Sequence, residues 1–186
     1  MSFIAGMLPH WDGAAPLARW RARIHENHEV GFKVPWWAAG SVRARLRVSS
    51  GYGGRAGIRL KPEERKAHAA TPNHGTAVTF GEPFPKRVTR GFVLARLANL
   101  IEGHAAVRPQ LAEAVAGMLS QGSLPEVPSL GNSGAGEILA LGHLFAELGV
   151  RVGLEEKEHL ALINGSPCSA ALVADAALAS RRRIEI

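Results

Sequence analysis

Apolar residues recur at helical spacing through the second half of this chain. Residues three or four apart share one face of an α-helix, so this spacing predicts helices that each bury one side. Three stripes follow the pattern: Val88, Phe92, Ala95, Leu97 and Leu100; Leu111, Val115, Met118 and Leu119; and Ile138, Leu141, Leu144, Phe145 and Leu148. We predict that Pro109 begins the second helix and that Gly103, Gly122 and Gly149 end the three helices.

The remaining segments carry weaker patterns. Residues 155–182 contain another helical stretch, interrupted at 164–167 by Asn-Gly-Ser-Pro. Residues 42–48 alternate apolar and basic positions, which predicts a short strand with one wet face, and the glycine-rich residues 49–57 are predicted to form a loop. We therefore predict a mainly α chain with an irregular N-terminal segment, residues 1–60, followed by a helical domain, residues 61–186.

Composition favours a globular protein. The 186 residues are 46% hydrophobic and 20% charged, which suits one domain or a large part of a bigger assembly. Cys168 is the single cysteine, so an intrachain disulfide is excluded. No apolar run reaches the roughly 18 residues that span a bilayer, and the first residues lack the basic region of a secretory signal. We expect a cytoplasmic protein without a membrane partner.

The charge pattern does not by itself indicate a partner. The formal net charge is +6, with arginines concentrated at residues 43–59 and at 181–183. No nucleic-acid-binding motif accompanies them, and basic residues are common where a helix ends, so we expect no nucleic-acid ligand. His25 and His28 are three residues apart, not four as in the zinc-protease motif, and no third ligand is evident, so no metal site is predicted.

Five short blocks of this sequence resemble, in order, the aromatic amino acid ammonia-lyase family. They are Gly-Glu-Pro-Phe-Pro at 81–85, Arg-Leu-Ala-Asn-Leu-Ile-Glu-Gly at 96–103, Val-Arg-Pro-Gln-Leu at 107–111, the segment 131–137, and Leu-Ala-Leu-Ile-Asn-Gly-Ser at 160–166. The resemblance covers roughly residues 52–178. It implies a truncated ammonia-lyase-like helical fold, without the family's later helices that complete each active site across a tetramer.

The segment 131–137 corresponds to the part of the family that makes its prosthetic group. There an Ala-Ser-Gly run cyclises into methylidene-imidazolone, an electrophile. Here the residues read Gly131-Asn132-Ser133-Gly134-Ala135-Gly136-Glu137, and the alignment deletes the serine after Ala135. The resemblance therefore implies that the prosthetic group is absent. Ser133 stays a catalytic candidate through cyclisation in a slipped register, and its alternative role is a helix cap.

The resemblance also suggests further site residues. Tyr52, matched after a shift of register, corresponds to the family's tyrosine base, and its alternative role is ordinary packing. Asn164 corresponds to an asparagine that contacts substrate, and the alternative is a turn residue before Gly165. His74 matches a family histidine or lies in an exposed turn. Asn132 and Glu137 are predicted substrate contacts beside helix N-termini, where a carboxylate is favoured. His143 is predicted to make a core hydrogen bond.

Four functions remain open on the sequence. The first is a prosthetic-group-free biosynthetic enzyme that eliminates, isomerises or cyclises an amino-acid-derived small molecule. The second is a non-catalytic or accessory subunit of a heteromeric lyase-like assembly. As partners we expect further copies of the chain in a homo-oligomer, or a protein that supplies the missing helices in a hetero-oligomer. The third is a non-catalytic small-molecule binding module, and the fourth is a true ammonia-lyase that cyclises at Ser133. We favour the first.

Overall fold

The computed structural model describes residues 57–64, 67, 73–101, 105, 107–120, 124–132, 136–155 and 158–184, with the backbone alone at 73 and 74. Five α-helices are described: α1 (Lys86–Ile101), α2 (Pro109–Ser120), α3 (Ile138–Val152), α4 (Glu158–Ile163) and α5 (Pro167–Ile184). Two short strands, β1 (Phe80–Pro83) and β2 (Pro128–Leu130), and a 3-10 helix (Asn73–Thr76) complete the described elements. The mainly α architecture predicted from the apolar stripes is confirmed.

The hydrophobic core forms where the three predicted stripes face one another. Helix α1 packs against α5 and α2, and α3 packs against α2, α4 and the 3-10 helix. Most of the largest fully buried apolar side chains come from these stripes: Phe92, Leu97, Leu100, Leu111, Leu141, Leu144 and Phe145. Leu94 and Ile101 of α1 and Leu162 of α4 are also fully buried. The predicted start of the second helix at Pro109 is also confirmed.

The predicted end of the third helix at Gly149 is wrong. Helix α3 continues through Gly149 to Val152, and Gly153 ends it in the left-handed conformation, with φ of +64° and its N–H bonded to the Gly149 carbonyl. Gly149 serves packing instead, because a Cβ there would lie 3.0 Å from Leu154 Cδ1. A helix interior tolerates a glycine that permits close packing, whereas the C-terminal position favours one that adopts positive φ.

A small antiparallel sheet was not predicted. Strands β1 and β2 pair with Phe80 opposite Leu130 and Pro83 opposite Pro128, with an irregular register between them. The Phe84 N–H donates to the Val127 carbonyl at 2.9 Å and continues the pairing. Proline and glycine within these three- and four-residue strands gave a turn signal in the sequence, so only the long-range pairing identifies them as strands.

The predicted interruption of the last helical stretch is confirmed, since α4 ends at Ile163 and α5 begins at Pro167. By length and composition alone, the described stretch Glu158–Ile184 could cross a membrane. One such stretch is weak evidence, because core helices meet the same criterion. The predicted strand at 42–48, the loop up to residue 56 and most of segment 1–60 lie outside the described residues, so the division at residue 60 stays a prediction.

Candidate functional site

Three of the resembling blocks meet at the N-terminus of α5. Glu137 closes the segment before α3, Asn164 lies in the turn between α4 and α5, and Arg96 reaches this turn from α1. They are separated by up to 68 positions along the chain. Tertiary packing therefore brings together two of the predicted site residues, Glu137 and Asn164, with an arginine that was not predicted.

Glu137 caps helix α5. Its Oε2 accepts a hydrogen bond from the Cys168 N–H at 2.5 Å, and its Oε1 accepts one from the Ser169 N–H at 2.6 Å. The first N–H groups of a helix lack intrahelical partners, and the helix dipole favours a negative charge there, so a carboxylate suits this position. Both Glu137 oxygens are engaged within the protein. Its contact with a substrate stays a prediction.

Asn132 serves helix α3 in a similar way. Its side-chain oxygen accepts a hydrogen bond from the Ala140 N–H, in the first turn of α3, at 3.0 Å. The residue directly before the helix, Glu137, makes no side-chain bond to α3 because it reaches α5 instead. Ser133, the predicted catalytic serine or cap, lies outside the described residues with Gly134 and Ala135.

Asn164 lies in an exposed turn. Its N–H donates to the Leu160 carbonyl at 2.9 Å, which closes the last turn of α4. The following residue, Gly165, has φ of +92°, a conformation that side chains rarely adopt, so the alternative role of Asn164 as a turn residue is confirmed. The Asn164 carbonyl accepts a hydrogen bond from the Arg96 guanidinium. The exposed side-chain amide is left to contact a ligand, which stays a prediction.

Arg96 is the main residue that the sequence analysis missed. Its side chain is buried, with 5% of its surface exposed, and its Nε has no hydrogen-bond partner among the described residues. Burial lowers the pKa of the guanidinium to about 10, although Cys168 and the Glu137 carboxylate act in the opposite direction. One signal was available: Arg96 lies among the apolar residues Val93, Leu94, Leu97 and Leu100 in the second half of α1.

Cys168 is a buried thiol at the start of α5. A helix N-terminus and a nearby arginine commonly lower a cysteine pKa. Here burial and the adjacent Glu137 carboxylate dominate and raise the pKa of Cys168 well above its usual range. Burial and the raised pKa both disfavour the reactive thiolate.

A second cluster, formed by Arg108 and Glu158, positions helix α4. Glu158, at the start of α4, accepts hydrogen bonds from the Arg108 N–H at 2.8 Å, Arg108 Nε at 3.0 Å and an Arg108 terminal nitrogen at 2.7 Å. That terminal nitrogen also donates to the Gly153 carbonyl at the end of α3. This cluster joins the beginnings of α2 and α4 to the end of α3, and so it fixes α4 before the Asn164 turn.

The remaining candidates lie away from the N-terminus of α5 or outside the described residues. His143 on α3 accepts a hydrogen bond at Nε2 from the Thr79 N–H at 3.1 Å, so it makes a hydrogen bond within the protein at a partly buried position. His74 belongs to the 3-10 helix that packs on α3, and Tyr52 lies outside the described residues. Within the described ranges, no group of three or more histidine, cysteine or acidic side chains could hold a metal ion.

Comparisons with known proteins identify relatives of this chain. The family model for the aromatic amino acid lyases matches residues 43–151. Histidine ammonia-lyase from Deinococcus radiodurans is 37% identical over 53% of this chain and 23% of its own length. The enzyme of the same name from Geobacillus thermodenitrificans is 30% identical over 73% of this chain and 32% of its own. The chain thus spans about a quarter to a third of these relatives.

Solved structures share the fold. Tyrosine aminomutase from Streptomyces globisporus aligns with a TM-score of 0.61 and 23% identity, covering 84% of this chain and 33% of that one. Phenylalanine aminomutase from Pantoea agglomerans aligns with a TM-score of 0.64 and 18% identity, covering 84% and 34%. With a family model matching more than half of its residues and this helical framework in common, the chain belongs to the aromatic amino acid lyase family.

Proposed function

We propose that this protein acts on an amino-acid-derived small molecule without the methylidene-imidazolone group. The observation that carries the proposal is Ala135 in a framework that is otherwise retained. Helices α3 and α5 begin beside the segment 131–137, and the Asn164 turn lies against the same helix end. These helix ends, together with the run Gly134-Ala135-Gly136, support the proposal of a lyase-like site without the prosthetic group.

The residues present do not fit the prosthetic group. Its formation needs a serine between an alanine and a glycine, because that hydroxyl leaves as water after the backbone cyclises. The corresponding run is Gly134-Ala135-Gly136, which has no hydroxyl to lose. Ser133 is two positions away from Ala135, so its use would require a different ring register. We route no chemical step through this group.

The ligand class comes from the relatives. Those compared above are named for histidine, tyrosine and phenylalanine, so we propose an amino acid or a close derivative as substrate. Elimination, isomerisation or cyclisation are the reaction types that such a substrate offers. Asn164 would bind a polar group of the substrate, Tyr52 would transfer a proton, and His74 would add a polar contact. We further propose that the protein works in the cytoplasm.

Intact mass is the first test. We expect a denatured mass equal to that of the encoded chain, because Ala135 cannot take part in dehydration. Cyclisation with loss of two waters would lower the mass by roughly 36 Da, as covalent processing of the backbone. That loss, with the near-ultraviolet absorbance of the electrophile, would show that Ser133 cyclises and would refute the prosthetic-group-free proposal.

Turnover is the second test. The protein would be incubated separately with histidine, tyrosine and phenylalanine, and the products would be separated by chromatography. Loss of ammonia would be detected by mass, and isomers by their different retention. We expect one of these amino acids to be converted or bound, with Asn164→Ala weakening the effect. Asn99→Ala is the matched control, because Asn99 is an exposed asparagine on α1. Equal effects of both variants would contradict a role for Asn164.

A second candidate is a component of a larger assembly. Helix α5 exposes apolar side chains, with Leu172 39% and Val173 70% exposed, and exposed apolar surface favours a protein partner. The partner would be another copy of this chain or a lyase-family protein that supplies further helices. Native mass spectrometry tests this candidate. It would be contradicted if the protein were a monomer at micromolar concentration and also formed no complex with a co-expressed lyase.

A further inference from the structure

Arg96 is a buried charged residue on α1. A charged side chain inside a protein costs free energy unless it is paired and hydrogen-bonded. Arg96 is 5% exposed, and its Nε has no hydrogen-bond partner among the described residues. Its terminal nitrogen donates to one described acceptor, the Asn164 carbonyl. Among the described residues, the buried charge is thus met by the Asn164 carbonyl, in the turn before α5, and by the electrostatic effect of the Glu137 carboxylate.

We propose that Arg96 is a positioning residue, which fixes the Asn164 turn so that the Asn164 side chain holds a ligand. The proposal rests on the proposed function, since it takes Asn164 as a ligand contact. Arg96 itself touches no ligand. It acts through the Asn164 carbonyl, and a hydrogen bond from a charged donor to a carbonyl inside a protein is among the stronger ones.

Two neighbours support this arrangement. Gly165 has φ of +92°, and a Cβ there would lie 3.9 Å from the terminal nitrogen of Arg96, so the guanidinium lies directly behind the turn. The Glu137 carboxylate holds the first N–H groups of α5 and interacts electrostatically with Arg96. Arg96 thus holds the Asn164 turn through a hydrogen bond, and Glu137 holds the first residues of α5, which follow that turn.

The contrasting explanation is that Arg96 only fills space between α1 and α5. The two explanations differ for a methionine at this position. Methionine keeps most of the volume, and replacing a buried charge by an apolar residue is often neutral or stabilising. R96M should therefore leave global stability near the wild-type value or raise it, while the turn loses its anchor. Pure space filling predicts no change at the turn.

The experiment compares R96M with R87M. Arg87 is the matched control, because it also lies on α1 and also contacts α5, through a 2.9 Å ion pair with Asp175. Amide hydrogen exchange would be measured at Asn164 and at the fully buried Leu144 of α3. Binding of histidine, tyrosine and phenylalanine would be titrated in parallel, with Asn164→Ala as the reference for a lost contact.

We expect R96M to speed exchange at Asn164 about tenfold, as for loss of one charge-assisted hydrogen bond, with Leu144 unchanged. Any probe that binds the wild type should bind R96M more weakly, as it does Asn164→Ala, and bind R87M normally. Unchanged exchange at Asn164, or unchanged affinity for a bound probe, would overturn the proposal. If R96M does not fold, R96K takes its place, because its ammonium ends short of the guanidinium position. If no probe binds the wild type, the proposed ligand class fails, while exchange still decides whether Arg96 fixes the turn.

Discussion

Replacement of Glu158 by glutamine should destabilise the protein strongly. The Glu158 side chain is 2% exposed, and it accepts hydrogen bonds from Arg108 and from the Glu155 N–H at 2.9 Å. Glutamine keeps the shape and one acceptor oxygen, but its amide NH₂ would face donors. The Arg108 guanidinium would then lose its main charged partner. The Glu155 carboxylate would remain, but it is 65% exposed and lies 3.3 Å from Arg108, so it is the weaker partner.

The magnitude follows from burial. Removing one member of a buried ion pair costs about 3–5 kcal/mol, since the other charge is left uncompensated. Arg108 is 26% exposed, so solvent relieves part of this cost, and we expect a loss of about 3 kcal/mol for E158Q. This is a large share of the roughly 5–15 kcal/mol that holds a typical domain folded.

The effect depends on pH, and its sign can be derived. Burial alone would raise the pKa of Glu158, but the hydrogen bonds from Arg108 and the Glu155 N–H outweigh it and hold this pKa below its usual value of 4.5. A lowered pKa in the folded state stabilises the protein above the unfolded-state value, and this stabilisation is lost as pH falls through the folded-state value. The difference between wild type and E158Q should therefore shrink below about pH 4.5.

Urea unfolding at pH 7 and pH 4, followed by circular dichroism, measures both effects. R87Q is the control, because Arg87 is 42% exposed in its ion pair with Asp175, and an exposed pair contributes less than about 1 kcal/mol. An E158Q protein as stable as R87Q at pH 7 would refute the reasoning. So would a stability difference that stays constant between the two pH values.

Two further predictions concern the site and the packing of α3. E137Q should move the pH profile of Cys168 alkylation to lower pH, because the neighbouring negative charge raises the Cys168 pKa; a faster rate with an unshifted profile would indicate local opening instead. G142A should cost about 1–3 kcal/mol in thermal unfolding, since its Cβ would lie 2.9 Å from the Thr76 carbonyl carbon and closer still to Thr76 Oγ1. G117A is the matched control: position 117 lies within α2 with nothing within 4 Å, so we expect stabilisation of about 0.5–1 kcal/mol, and equal effects at both glycines would contradict the packing.

The helices could be predicted because their signals are local. Apolar residues at helical spacing in α1, α2 and α3 reflect burial of one face, and each stripe was recognisable without knowing its partner. The short sheet was not predicted, because Phe80 and Leu130 pair across a long sequence separation and both strands contain residues that are typical of turns. The end of α3 was predicted at Gly149 and lies at Gly153. Sequence alone does not distinguish a glycine that allows close packing from one that adopts positive φ.

Sequence by itself determined the family resemblance, the helical class and the run Gly134-Ala135-Gly136, because each of these is written in residue type and order. Tertiary structure alone decided what the polar residues of the site contact. Folding places the Glu137 carboxylate on the N-terminus of α5, through contacts that span 31 and 32 positions along the chain. Arg96 gave no sign of its acceptor until α1 and the Asn164 turn were brought together. Hydrogen-bond partners far apart in the chain are fixed by packing, and no local pattern encodes them.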